Sequence, residues 1–288
     1  MEIAGIVQAL IQGLAFGGIF ALISSGMTLT HNVTGQINVA HGTFMIVAIY
    51  IMFVMFGAWG LDPYISVFIT MPIMFLLGLA VFYLTFKKVI YYEHVMVFQF
   101  FIAWILIVEY GLLVLFSGTF RSVTSFITLS KIEFGTLVLR TAQLVAFLVA
   151  LVVIAIFYWL LMKTEFGRTV RATAQIPEVA RLMGVNVGRL QVVIFGISFV
   201  LVALAAGLLL PYFTFNPYSG LMITLFALII MVMGGFGSWE GTLLSSLIIG
   251  VVYGMSYYFI PTAMAALVPY LLFAVILVFR PLGIFGEK

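Results

Sequence analysis

Nine apolar runs, each near the length of a membrane-crossing helix, follow one another along the 288 residues. A hydrocarbon core of about 30 Å needs roughly 20 apolar residues in a helix. By that rule the runs cover Ile6 to Leu29, Ile37 to Phe56, Tyr64 to Phe86, Val95 to Phe116, Thr141 to Met162, Leu190 to Pro211, Leu221 to Met233, Thr242 to Ile260 and Ala263 to Phe279. The seventh and ninth are short, as broken or tilted helices would be. Backbone groups find no water in hydrocarbon, so a segment must satisfy them internally, as a helix does. The expected fold is therefore all-α, a polytopic transmembrane bundle of about eight or nine spans forming one domain over residues 1–288. Composition excludes a water-soluble fold: 65% of the residues are hydrophobic and mean hydropathy is +1.31, against roughly 45–50% apolar content in soluble domains.

Lys and Arg collect on the cytoplasmic side of membrane proteins. With nine spans, Lys87, Lys88, Lys163, Arg168, Arg171, Arg181, Arg189, Arg280 and Lys288 share one face, and only Arg121, Lys131 and Arg140 fall on the other. The loop at about 163–190 and the C-terminus are thus expected in the cytoplasm. The polar stretch at about 117–140 is expected outside, and an odd span count places the N-terminus there too. The chain has no cysteine, which excludes disulfides and thiolate metal sites. Its three histidines come without a second cluster of ligands, so no metal site is expected. The N-terminus lacks the basic segment and the small-residue cleavage site of a signal peptide.

In the long loop, Pro177 is followed by Glu178, Val179, Ala180, Arg181, Leu182 and Met183, and then by Gly184. Proline at the first helical position and glycine just past the last mark a short helix. Two turns are marginal alone in water. Such a helix needs a groove in another protein, or the membrane surface that its basic flank suits; otherwise the stretch is an ordinary solvated connection.

Four stretches carry a resemblance. The sequence TEFGRTVRATAQIPEVARLMGVN, Thr164 to Asn186, is similar to the cytoplasmic loop of ABC importer permeases, in the version typical of the branched-chain amino acid family. GQINVAHG at Gly35 to Gly42, MGGFGSWEGTLLSSLIIG at Met233 to Gly250 and RPLGIFG at Arg280 to Gly286 resemble three further signatures of that family. The four occur in order across nearly the whole chain. The resemblance implies a type II importer permease in a bacterial or archaeal cytoplasmic membrane, carrying branched-chain or other small amino acids or related amides. It implies that the Pro177 to Gly184 helix enters a cleft of an ATP-hydrolysing subunit. The implied partners are two ATP-binding cassette subunits that hold ATP and Mg, a second related permease and a periplasmic binding protein. The permease itself would hold no cofactor and catalyse no reaction. At Gln175 and Ile176 this chain departs from the family, which carries an acidic residue at the helix start; Glu178 stands in its place.

Polar groups inside the membrane are costly and face protein or water. Gln36, Asn38 and His41 form such a group, read either as interhelical hydrogen bonds that fix packing or as a broken helix lining the translocation route. Glu109 lies deep in the fourth run. It is expected to face inward, with a backbone group, a Tyr hydroxyl or the Asn38 amide as partner, as a structural acid or a contact to substrate. GGFGSWEG has neither the preceding strand nor the lysine of a nucleotide site. It reads as a tight turn with Gly234, Gly235 and Gly237 at positive φ, or as a helix start aimed at an anion. Gly35 to Phe44 and Gly234 to Leu243 hint at a two-half repeat. The rival to import is an ion-coupled secondary transporter with Glu109 as the coupling carboxylate. A membrane-embedded enzyme would need a paired acid, Cys–His or Ser–His set, which the sequence lacks.

Overall fold

The computed structural model describes residues 2–90, 92–125, 131–134 and 137–286. Helices α1 (Glu2–Thr34) and α2 (His41–Trp59) are followed by α3 (Pro63–Val81), which runs on through a π-helical turn at Phe82–Phe86 into Lys87–Val89. After α4 (His94–Phe116) comes an antiparallel hairpin, β1 (Lys131–Phe134) and β2 (Leu137–Arg140). Then follow α5 (Thr141–Lys163), α6 (Glu165–Gln175), α7 (Pro177–Leu182), α8 (Val187–Leu209), which ends in a 3-10 turn at Leu210–Tyr212, α9 (Ser219–Gly234), α10 (Trp239–Phe259), α11 (Thr262–Ala265) and α12 (Val268–Phe279).

Among the described residues seven helices are long and apolar enough to cross a membrane, and the two shorter apolar ones are α9 and α12. These two are the short seventh and ninth runs. The expected helix bundle is present, and among the described residues the hairpin is its one departure. It falls within the polar 117–140 stretch, where Lys131 pairs with Arg140 in register. Residues 126–130 and 135–136 of that stretch lie outside the described residues.

Hydrogen bonds sort the helix ends into two sets. At one end, here the loop end, Gln36 Nε2 donates to the Ile90 carbonyl (3.4 Å) and Asn32 Nδ2 to that of Gly237 (2.9 Å). The amides of Ile284 and Phe285 donate to the carbonyls of Met233 (2.8 Å) and Gly234 (3.1 Å). Lys87, Lys88, Lys163, Arg168, Arg171, Arg181, Arg189 and Arg280 therefore share this end, as the charge pattern anticipates; Lys288 lies outside the described residues. At the other end Arg121 and Phe215 exchange both backbone hydrogen bonds at 2.9 Å.

Small residues let the backbones meet. Helices α1 and α10 run antiparallel, with Gly13 and Gly17 facing Gly250 and Gly254. A Cβ on Gly250 would sit 2.4 Å from the Gly13 carbonyl oxygen, and backbone cannot rotate away as a side chain can. Gly250→Leu is expected to destabilise the bundle by at least the roughly 1–3 kcal/mol typical of overpacking, read as a lower thermal midpoint in detergent. A second antiparallel pair, α3 with α8, brings Gly207 against Val67 and Gly78 against Phe199.

These pairs are counterparts in an inverted arrangement: α1, α2 and α3 correspond to α8, α9 and α10. After α1 an extended stretch, residues 35–40, turns from the loop end into the bundle; after α8 another, residues 213–218, turns inward from the opposite end. Each turns on an asparagine. The Asn38 carbonyl accepts from the His41 amide (3.3 Å) and the Asn216 carbonyl from the Ser219 amide (3.1 Å). Each asparagine Oδ1 also accepts locally, from Ala40 N at 3.0 Å and from Ser219 Oγ at 2.9 Å, the habit that suits Asn to turns.

The helices that follow, α2 and α9, start inside the bundle and diverge. Their first turns touch: Gly42 N donates to Thr224 Oγ1 at 2.9 Å, and Gly220 lies against Thr43. The level is fixed by His41, whose Nε2 contacts the Ile23 carbonyl at 3.2 Å, roughly 16 Å inward from the α1 end at 1.5 Å per residue. The structural counterpart of Gly35 to Phe44 is thus Phe213 to Met222. The suggested match with Gly234 to Leu243 is not the repeat, because the glycines there form the turn that joins α9 to α10 at the loop end and no extended entry into the bundle.

Candidate functional site

The connection from α5 to α8 is built by local rules. Thr164 caps α6, its Oγ1 accepting from Gly167 N at 3.1 Å. Gly167 has no room for a side chain, since a Cβ would strike the carbonyl of Leu161. Arg171, one turn on, reaches back and donates from Nη1 to that same carbonyl. An arginine at a helix C-terminus satisfies an orphan acceptor and opposes the helix dipole. The loop is thereby fastened to the end of α5. Glu165 and Arg168 form an exposed ion pair, which contributes little to stability.

Helix α7 begins with Pro177 and ends in a Schellman motif. Gly184 takes φ 88°, its amide donating to the Arg181 carbonyl (3.0 Å) and the Val185 amide to that of Ala180 (3.0 Å). That is the Pro-start, Gly-stop helix expected at Pro177 to Gly184. Ala180 is its inward anchor at 4% exposure. Outward lie Val179 at 49%, Leu182 at 87% and Met183 at 81%, with Ile176 at 54% and the exposed Glu178 beside them. An apolar tip on a polar loop is the mark of a contact surface.

Three of the four motif stretches converge behind this tip. Gly235 and Gly237 adopt positive φ (102° and 89°), as expected; Gly234 does not, being the last residue of α9 pressed against Gly241. The Arg280 to Gly286 tail folds over that turn, with Gly283 and Gly286 packed on Gly235. Ser238 Oγ caps α10 by accepting from Gly241 N at 3.0 Å. A cavity of about 500 Å3 lies between this turn, the tail, α6 and the ends of α1 and α5. Arg171, Trp239 and Glu240 line it, a grouping that separate reading of the motifs misses. Its signal in the sequence was the lone Glu240 inside a Gly-rich turn.

The intramembrane residues divide. Gln36 is buried at the loop end, its Oε1 2.8 Å from His94 Nδ1. Asn38 and His41 are fully buried at the α2–α9 junction, with Asn38 Nδ2 and His41 Nδ1 lacking partners. The irregular backbone here is enclosed by protein, one of the two settings in which a membrane tolerates it. Glu109 is not with them. It is half-buried on α4, which packs chiefly against α2, and forms no hydrogen bond or ion pair among the described residues. The expected inward partner is absent because α4 lies at the rim of the bundle. Among the described residues no group of three or more His, Cys, Asp or Glu could hold a metal.

A model of the family described as branched-chain amino acid transport system, permease component, matches residues 9–277. The chain belongs to this permease family. It is 25% identical to the high-affinity branched-chain amino acid transport system permease protein BraD of Pseudomonas aeruginosa, over 99% of this chain and 97% of that one. It is 26% identical to the corresponding LivH protein of Escherichia coli, over 98% and 96%. With a probable LivH permease of Methanocaldococcus jannaschii it shares 25% identity over 87% and 81%. No solved structure matches the chain. As a permease of this family it is a multi-pass transport subunit and not an enzyme, and membership sets aside the ion-coupled reading of Glu109.

Proposed function

We propose that this permease forms half of the translocation pathway of a binding-protein-dependent ABC importer for branched-chain or other small amino acids or related amides. The whole chain acts as one transport domain. Its loop end faces the cytoplasm, where the basic residues gather. Two ATP-binding cassette subunits bind ATP and Mg beneath it, a second related permease completes the pathway, and a binding protein delivers substrate from outside. The observation that carries this reading is the apolar tip of α7, exposed through Val179, Leu182 and Met183 while Ala180 anchors it. A two-turn helix that holds apolar groups in water is suited to a cleft in another protein. Fastening of α6 to α5 through Arg171 gives movement of that tip a route into the membrane helices.

In this arrangement Gln36, Asn38, His41 and Glu109 have distinct roles. Asn38 and His41 hold the α2–α9 junction, and Gln36 ties the α1 end to α4 through His94. Glu109, on the rim, is the group of the four placed to meet a second subunit or its substrate. The test is reconstitution: the chain is co-expressed with candidate ATPase, permease and binding-protein subunits and purified in detergent. A stable complex whose ATPase rate rises with the loaded binding protein, and which takes up leucine into vesicles, is the expected result. Purification without any ATPase subunit would sink the reading.

A further inference from the structure

The cavity behind the α7 tip has a second property. Two opposite charges line it, Arg171 from α6 and Glu240 from the first turn of α10. Among the described residues no ion pair joins the two. Arg171 commits Nη1 to the Leu161 carbonyl and the neighbouring Met162 sulfur, which leaves further donors of its fork. Leu29, Met162, Phe236 and Trp239 supply apolar wall.

Resting on the import reading above, we propose that this cavity binds a free amino acid with an apolar side chain on the cytoplasmic face and so lets accumulated product slow transport. The charge set selects the ligand. A carboxylate suits Arg171 but on a plain acid is repelled by Glu240; an ammonium suits Glu240 but on a plain amine is repelled by Arg171. Only a molecule that carries both groups satisfies both walls, and the apolar lining receives its side chain. Binding braces α6 against α10. Because α6 carries the α7 tip, an occupied cavity resists the loop movement that import requires.

A phosphatidylethanolamine headgroup presents the same pair of charges, so the test separates the two. The full chain is placed in nanodiscs of phosphatidylglycerol alone and titrated calorimetrically with leucine, 4-methylpentanoate and 3-methylbutylamine. Leucine is expected to saturate one site, with the acid and the amine each at least about 10-fold weaker, the scale of one charged hydrogen bond. Glu240→Gln should erase the preference of leucine over the acid while still co-purifying with the ATPase subunit, which excludes simple misfolding. In vesicles preloaded with leucine, uptake by the wild type should slow and uptake by Glu240→Gln should not. Equal binding of all three ligands, or none, overturns the proposal. So does phosphatidylethanolamine retained from native membranes and lost in Glu240→Gln with no leucine response. If no ATPase subunit associates, the import reading fails while the titration still reports on the cavity, so the two failures are distinguishable.

Discussion

Leu182→Asp is expected to abolish uptake and ATPase association while leaving expression and thermal stability close to wild type. Leu182 is 87% exposed, so the change removes almost no packing, and exposed substitutions of this kind usually fall within about 0.5 kcal/mol of neutral. In a cleft the balance reverses. A carboxylate taken from water into apolar contact without a partner costs on the order of 2–5 kcal/mol, which is more than about 10-fold in affinity. Recovery of the ATPase subunit on the tagged permease is the measurement. Leu182→Met, equally apolar, should restore it. Recovery at the wild-type level with Asp at this position would mean that α7 is not the docking element. Ala180, at 4% exposure, supplies the contrast: a larger residue there should lower the thermal midpoint of the isolated permease, because it displaces the helix from its own bundle.

Helix α7 was fully legible in the sequence because its signals are local. Pro177 fixes the first turn, Gly184 supplies the positive φ of the cap, and the spacing leaves room for two turns only. The long spans were legible for a similar reason, since each run of about 20 apolar residues is decided by hydrocarbon thickness alone. The position of Glu109 at the rim was not legible, because burial depends on which helices lie outside and which inside, and every apolar run looks alike in that respect. The inverted repeat was hidden for another reason. Its matching stretches, Gly35 to Phe44 and Phe213 to Met222, share little beyond an asparagine four residues ahead of a glycine. What they share is backbone: an extended entry, an asparagine turn and a helix that starts inside the bundle. The Arg171 and Glu240 walls of one cavity come from segments far apart in sequence, and they meet because Arg171 is fastened to the end of α5 and the α9–α10 turn to the end of α1.

The α2–α9 junction should be the point of the bundle least tolerant of added volume. A Cβ on Gly42 would lie 2.4 Å from the Gly220 carbonyl oxygen and 2.5 Å from the Thr224 amide nitrogen. A Cβ on Gly220 would lie 2.6 Å from the Thr43 Cα. None of these is the free end of a side chain, so relief requires the two helices to separate. Separation breaks the Gly42 to Thr224 hydrogen bond and uncovers the buried polar groups of Asn38 and His41, each unpaired group in hydrocarbon costing several kcal/mol. Gly42→Val is therefore expected to exceed the roughly 1–3 kcal/mol of ordinary overpacking and to yield protein that aggregates on size-exclusion chromatography. Gly111→Ala is the matched control. Gly111 lies within α4 with nothing inside 4 Å of an added Cβ, and alanine in a helix is favoured over glycine by about 1 kcal/mol, so its thermal midpoint should hold or rise. If Gly42→Val behaves like Gly111→Ala, the two helix starts do not meet inside the bundle, and the inverted arrangement built on that contact is wrong.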